Sequence, residues 1–141
     1  MATTTHAQTA LDLFEAWERR DFPAAAELVA DDITFVDHPS GRTLTGRREF
    51  IEWFESWTRA STDSTVSPKV LDAGDHAVIL GVWAGTNDGA LGSFPATGRR
   101  VEVPFANVMQ FDDAGLIAHG EAYYDYLTIL VQLGHAAAPA G

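Results

Sequence analysis

The sequence predicts a single α+β domain in which a curved antiparallel sheet wraps a long helix and forms a cone with an internal cavity. Two patterns support this prediction. Apolar residues recur at helical spacing in much of residues 7–60, and apolar and polar residues alternate from Thr65 onward. The length of 141 residues suits one domain with a substantial core. Space between a concave sheet face and its helices is a common binding place for small molecules.

The first half of the chain predicts three helices and one short strand. Asp21 is expected to cap the second helix, with Pro23 in its first turn. The third helix has apolar residues on more than one narrow face, so we expect it to contact the sheet and also a ligand or subunit. The predicted elements are a helix from about Ala7 to Arg19, a helix over 23–30, a strand over 33–37 and a helix over 46–60.

The second half predicts four strands and a last helix. Gly115 suits the tight turn between the last two strands, because glycine tolerates positive φ. Asp125 is expected to cap the last helix and Gly134 to end it. The tail, about 135–141, is expected to be flexible. The four strands are predicted over 65–74, 75–86, 99–115 and 116–126.

Composition excludes several classes of function. Twenty acidic residues against nine basic ones give a net charge of −11, and no basic stripe suited to nucleic acid or an anionic membrane is present. The chain has no cysteine, so disulfides and thiolate sites are excluded. The N-terminus lacks a signal-peptide pattern, and no apolar run is long enough to span a bilayer. We therefore expect a cytoplasmic protein.

Motifs for metals and cofactors are also missing from the sequence. The five histidines show neither HxH nor HExxH spacing. There is no GxGxxG, no P-loop and no GxSxG motif. We therefore expect no metal and no cofactor.

Polar residues interrupt the apolar faces of the last two strands. Because side chains alternate along a strand, Asn107 should share a face with Phe105 and Met109. Such polar groups cost free energy unless they are exposed, hydrogen-bonded or used. A second set is predicted to share one face of the last strand: His119, Glu121, Tyr123 and Asp125.

Two long runs resemble a known group of proteins. The first is LVADDITFVDHPSGRTLTGRREFIEWF, and the second is FPATGRRVEVPFANVMQFDDAGLIAHGEAYYDYLTILVQLG. Both resemble the nuclear transport factor 2-like superfamily, which includes ketosteroid isomerases, and most of all its SnoaL-like polyketide cyclase branch. The resemblance spans roughly residues 8–134. It specifies the fold well and the reaction poorly, because this fold hosts many activities.

The resemblance implies roles for particular residues. Asp37 falls where ketosteroid isomerases keep a proton-shuttling aspartate, and Asn107 falls near their donor to the enolate. Glu121 lies close to the acidic residue that SnoaL-like cyclases use as acid and base. The isomerases' tyrosine on the first helix has no match in Leu13-Phe14, which weakens the steroid isomerase interpretation.

The sequence therefore predicts a cofactor-independent enzyme that acts on a hydrophobic carbonyl-bearing small molecule, most specifically a polyketide-type cyclase performing aldol ring closure. Glu121 is the first candidate base and Asp37 the second. Asn107, with His119 or Tyr123, is expected to stabilise the enolate. In an apolar cavity the pKa of Glu121 would be raised.

Three alternatives stay open: a double-bond isomerase, an epoxide hydrolase, and a non-catalytic small-molecule-binding module. Epoxide hydrolysis typically needs an arginine in the cavity, and the candidates Arg99 and Arg100 lie at a strand's mouth. We expect a homodimer formed through the outer sheet face. The predicted substrate-binding residues are Phe14, Trp17, His38, Trp53, Trp57, Trp83, Phe105, Met109, Tyr123 and Asp125.

Overall fold

The computed structural model describes residues 5–140, which form four helices and one six-stranded sheet. The helices are α1 (His6–Glu18), α2 (Phe22–Ala26), α3 (Arg47–Ala60) and α4 (Tyr126–Leu133). The strands are β1 (Val29–Asp37), β2 (Arg42–Thr45), β3 (Lys69–Ala73), β4 (His76–Thr86), β5 (Arg100–Phe111) and β6 (Ile117–Tyr124). The predicted α+β class with a curved sheet is confirmed.

The sheet has the strand order β2-β1-β6-β5-β4-β3. Every neighbouring pair is antiparallel except β1 and β6, which run parallel near its centre. The predicted meander accounts for β3 to β6 but not for this parallel pair. Its register matters for the site, because Asp37 of β1 and Asn107 of β5 both pair with Ala122 of β6.

The second predicted helix is too long. It ends at Ala26, and Val29 already begins β1, where it is fully buried and paired with Ile117 of β6. Burial of this segment against the sheet outweighs the helix propensity of the alanine-rich run before it. Its predicted cap is confirmed, since the Asp21 carboxylate accepts from the backbone N–H of Ala24.

The sequence interpretation also missed a strand. Residues Arg42–Thr45 form β2, which pairs with β1 as a short hairpin at the sheet edge. At the other edge, β3 is shorter than predicted and covers only Lys69–Ala73, while Thr65 makes a single isolated bridge to Ala84. Edge strands have one partner each, so their sequence pattern is weaker than that of central strands.

The helices pack on one face of the sheet. Helix α1 contacts β3 and β4, α3 contacts β1 and β2, and α4 contacts β5. The indole Nε1 of Trp17 donates to the Phe54 carbonyl oxygen at 2.9 Å, which ties α1 to α3 in the core. None of the helices in residues 5–140 is long and apolar enough to cross a bilayer.

Helix α4 begins and ends as predicted. The Asp125 carboxylate accepts from the backbone N–H of Thr128 at 3.1 Å, and Gly134 ends the helix with φ of +86°. Positive φ is easy for glycine and strained for other residues, so this position stops the helix. The fixed start of α4 places Ile129 over the concave sheet face.

Candidate active site

An aromatic cavity lies between the concave sheet face and the helices. The enclosed space that can hold water-sized atoms is about 50 Å³, and the surrounding empty space of about 470 Å³ includes open solvent. All four tryptophans of the chain contribute to its wall. The lining residues are Phe14, Trp17, Trp53, Phe54, Trp57, Val66, Trp83, Val103, Phe105, Asn107, Ala122, Tyr124 and Ile129. Such a wall suits a flat, hydrophobic ligand.

Asp37 is a buried carboxylate at the end of β1, with 2% of its surface exposed. Its Oδ2 accepts three hydrogen bonds: from Ser40 Oγ at 2.8 Å, Tyr124 Oη at 3.0 Å and Trp53 Nε1 at 3.1 Å. Its Oδ1 is buried and has no hydrogen-bond partner within residues 5–140. An orphaned buried acceptor is costly, and such an atom often marks a functional site.

Two of the donors to Asp37 also line the cavity. Trp53 and Tyr124 both contribute to its wall, whereas Asp37 itself does not. The carboxylate therefore lies one hydrogen bond behind the wall. Burial, followed by the negative charge of Asp37, raises the pKa of Tyr124, so its hydroxyl stays protonated and continues to donate.

Asn107 is the polar side chain of the cavity wall with the most open hydrogen-bonding capacity. It is 4% exposed and lines the cavity, and none of the side-chain hydrogen bonds found among residues 5–140 involves its amide. Asp37, Ala122 and Asn107 form one row across three adjacent strands. Two strand spacings separate the outer members by about 10 Å at the backbone. Ala122, in the middle of the row, also lines the cavity.

A second indole of the wall has an unused donor. Trp83 lies on β4 opposite Val103, is 4% exposed, and its Nε1 is buried without a hydrogen-bond partner among the described residues. Its ring meets that of Trp57 edge to face, with centroids 4.9 Å apart. The Trp57 ring in turn meets Tyr124 at 5.2 Å, so these rings form one continuous side of the cavity.

The remaining polar residues cluster on the opposite, outer face of the sheet. His38 Nε2 donates to Glu121 Oε1 at 2.8 Å, and the His38 ring stacks on Tyr123 with centroids 4.7 Å apart. His119 Nε2 lies 3.7 Å from Glu121 Oε2, and its Nδ1 is hydrogen-bonded to Thr34 Oγ1 at 2.7 Å. The prediction that His119, Glu121 and Tyr123 share one face is confirmed. The predicted contact between His119 and the Glu121 carboxylate is also present.

The expected pairing of Glu121 with Asn107 is not present. Glu121 pairs with Val108, the neighbour of Asn107, so the two polar side chains point to opposite faces. The pKa of Glu121 is lowered, not raised, mainly because its carboxylate accepts from His38 in a position open to solvent. The expectation of a raised pKa was wrong because the cavity is on the other side.

Four predicted binding residues also lie away from the cavity wall. Tyr123 is 45% exposed on the outer face, Asp125 caps α4, and Met109 is fully buried beneath the wall. His38 belongs to the outer cluster. The other six predicted binding residues line the cavity: Phe14, Trp17, Trp53, Trp57, Trp83 and Phe105.

Sequence reasoning missed Tyr124, which lines the cavity and donates to Asp37. The polar residues of β6 lie at its odd positions and face outward, whereas the even positions Gly120, Ala122 and Tyr124 face inward. The sequence signal for this inner face is the alternation of small residues, Gly120 and Ala122, with the polar residues His119 and Glu121. No group of three potential metal ligands occurs among residues 5–140.

Comparison with known proteins identifies the family. Residues 10–120 match the family model of the SnoaL-like domain. No curated protein matches the sequence significantly. A hypothetical protein from Catenulispora acidiphila with a ketosteroid isomerase-like fold, solved in complex with trimethylamine, is 28% identical, with 97% of this chain and 100% of that one covered and a TM-score of 0.76.

Other solved structures share the fold at lower identity. A proposed SnoaL-like polyketide cyclase from a Jannaschia species is 19% identical over 99% of both chains, with a TM-score of 0.84. A proposed polyketide cyclase from Streptomyces antibioticus is 24% identical over 93% of this chain and 99% of that one, with a TM-score of 0.79.

Proposed function

The chain belongs to the SnoaL-like domain family, and from this premise and the cavity geometry we propose that it is a cofactor-independent acid/base enzyme with Asp37 as its base. The substrate class is a hydrophobic, carbonyl-bearing small molecule, and the reaction is an aldol ring closure of the polyketide type. The observation that supports this most is the Asp37 carboxylate, fixed through Oδ2 by three donors and left with a buried, unpartnered Oδ1.

The proposed reaction begins with proton abstraction. Because Asp37 lies behind the wall, the proposed step requires the substrate to reach its Oδ1 past the side chains of Trp53 and Tyr124. Asp37 Oδ1 then takes a proton from the carbon α to the substrate carbonyl, and the electrons of that C–H bond move into an enolate. The Asn107 amide, which lines the cavity, donates to the enolate oxygen. The enolate carbon then attacks a second carbonyl carbon of the same molecule and forms the new C–C bond. The proton on Asp37 passes to the resulting alkoxide oxygen, which restores the carboxylate.

The neighbours of Asp37 support this role. Hydrogen bonds from Ser40, Trp53 and Tyr124 hold the carboxylate in one orientation, which favours reaction because little reorganisation is then needed. A double-bond isomerisation would use the same first step, with the proton returned to another carbon. Epoxide hydrolysis is less well supported, because no arginine is among the residues that line the described cavity.

Proton exchange tests this proposal without knowledge of the natural substrate. The probe is 1-tetralone, a flat bicyclic ketone, dissolved in D₂O and followed by NMR at the carbon α to the carbonyl. We expect the protein to accelerate exchange of these protons, and Asp37→Asn to lower the rate by about 10²- to 10⁴-fold, the usual worth of a positioned base. A wild-type rate no faster than buffer would contradict the proposal.

One observation favours a second candidate function, a non-catalytic module that binds small alkylammonium ions. The rings of Trp53, Trp57, Trp83 and Tyr124 lie edge to face in the wall, and Asp37 lies behind them. Aromatic walls attract organic cations. The relative from Catenulispora acidiphila is in complex with trimethylamine. Calorimetry with trimethylammonium chloride separates the two: saturable binding without proton exchange would favour the module.

We also propose that two copies associate through the outer face of the sheet. Leu71, Leu80 and Tyr123 are exposed there, on adjacent rows of β3, β4 and β6. Exposed apolar side chains grouped on one sheet face are typical of an interface between subunits.

A further inference from the structure

The Trp83 indole N–H is a buried donor that the proposed reaction does not use. It lies in an otherwise apolar part of the wall, and no acceptor is within hydrogen-bond distance of it in residues 5–140. Two other indoles of the wall already donate to acceptors within the protein. Trp17 donates to the Phe54 carbonyl, and Trp53 donates to Asp37. A buried donor without an acceptor is destabilising, so an acceptor supplied by a ligand would remove that cost.

The register places Trp83 far from the reacting groups. Trp83 pairs with Val103, whereas Asn107, four residues further along β5, pairs with Ile79 and Ala122. Four strand residues correspond to about 13 Å along the strands. The cavity therefore has one polar end at Asn107, with Asp37 behind the wall nearby, and a second polar point at Trp83.

The wall between these two ends is aromatic. Phe105 lies between the two rows on β5, and Trp57 contacts both Trp83 and Tyr124 through its ring. Flat rings fit between such faces with their planes stacked or edge to face. The space therefore suits an extended, planar ligand that reaches from one polar end to the other.

From this arrangement we infer that Trp83 is a binding residue that selects ligands with a hydrogen-bond acceptor, an ether, carbonyl or hydroxyl oxygen, at the end remote from the reacting carbon. The inference rests on the proposed function, because it assigns the remote end of the substrate that Asp37 and Asn107 act on. A site that hydrogen-bonds an oxygen disfavours an analogue without it, because the buried donor is then left unpaired.

The test compares two ligands of the same shape. In 6-methoxy-2-naphthol the remote group has an acceptor oxygen, and in 6-ethyl-2-naphthol a CH₂ replaces that oxygen. Isothermal titration calorimetry measures both affinities for the wild-type protein and for Trp83→Phe.

We expect the wild-type protein to bind the methoxy compound about 3- to 10-fold more tightly than the ethyl compound, the usual worth of one neutral hydrogen bond. Trp83→Phe should bind the two equally. Equal affinities in the wild-type protein would overturn the inference, as would a preference that survives in Trp83→Phe or absence of binding by both compounds. The wild-type comparison needs no variant, so it stands even where Trp83→Phe does not fold.

Failure of this inference is distinguishable from failure of the proposed function. The affinities require no turnover, and Asp37→Asn should keep the preference for the methoxy compound while it loses proton exchange. A preserved preference without any proton exchange by the wild-type protein would contradict the enzyme and leave Trp83 as a binding residue.

Discussion

Two buried asparagines differ in how their amides are used. Asn87 is fully buried, and its side chain bonds the carbonyls of Ala60 and Gly89 and the N–H of Thr97. Asn107 has equally little exposure and makes no side-chain hydrogen bond in the described chain. The first amide is explained by structure alone, and for the second we propose a role in binding a ligand.

Replacement of Asn107 by Leu should therefore affect chemistry and not folding. We expect the rate of 1-tetralone exchange to fall about 10²- to 10³-fold, as for loss of one oxyanion donor, with Tm unchanged or raised. The matched variant Asn87→Leu should lower Tm and keep the exchange rate of the folded fraction. NMR exchange and thermal unfolding measure the two effects. A large loss of Tm in Asn107→Leu with full exchange would show that its amide is structural.

Glu121 is expected to matter for acid stability. Its pKa is lowered in the folded protein, mainly by the hydrogen bond from His38 and further by the charge of His119. A group with a lowered folded pKa stabilises the protein above its ordinary value of 4.5, and this contribution is lost as pH falls through the folded pKa. Below pH 4.5, the wild-type protein should therefore lose stability more steeply than Glu121→Gln.

Urea unfolding between pH 3 and pH 7 measures this difference. Glu102→Gln, a substitution of an exposed glutamate on the neighbouring strand, is the control and should follow the wild-type curve. Parallel curves for the wild-type protein and Glu121→Gln would contradict the assignment.

At the scale of elements, the start of α4 depends on one side chain. The Asp125 carboxylate accepts from both the N–H and the hydroxyl of Thr128. Asp125→Ala should lower the free energy of unfolding by about 1 kcal/mol, and Asp125→Asn should retain most of it, because asparagine is also a good cap. Proton exchange should be unchanged in both. A loss of 1-tetralone proton exchange in Asp125→Asn would instead indicate that Asp125 belongs to the active site.

The helices and long strands were predictable because their patterns are local. Helix α1 was expected over about Ala7 to Arg19 and is His6–Glu18, and the end of α4 at Gly134 was expected from its sequence. The short edge strand β2 was missed because its four residues, directly after the turn formers at 38–41, are too few to show a strand period. Periodicity indicates that a strand exists, but it does not say which strand is its neighbour.

The candidate site was predicted only in part, for the same reason. Asp37 and Asn107 were both named, yet their alignment on Ala122 depends on the parallel pairing of β1 and β6. That pairing joins residues more than 80 positions apart in the chain. The polar residues of β6 suggested a site because they interrupt an otherwise apolar strand. Glu121 faces outward because the small residues of that strand occupy the inner face.

At the scale of the whole molecule, the outer face is expected to be an interface between two copies. Leu80 is 38% exposed at its centre, in the row that contains Tyr123 and Ala106. Leu80→Glu should convert a dimer into a monomer, because a buried unpaired carboxylate is costly. Leu127→Glu, at a similarly exposed leucine of α4, is the control and should stay dimeric. Size-exclusion chromatography with light scattering measures both, and a wild-type monomer would contradict the proposal.

The central claim is that Asp37, on the concave side, is the base and that Glu121, on the outer side, is not. The most direct measurement is the rate of 1-tetralone proton exchange by Asp37→Asn and Glu121→Gln, side by side at pH 7. We expect Asp37→Asn to lose about 10²-fold or more and Glu121→Gln to keep the wild-type rate. The reverse result, with exchange lost in Glu121→Gln and retained in Asp37→Asn, would contradict the account.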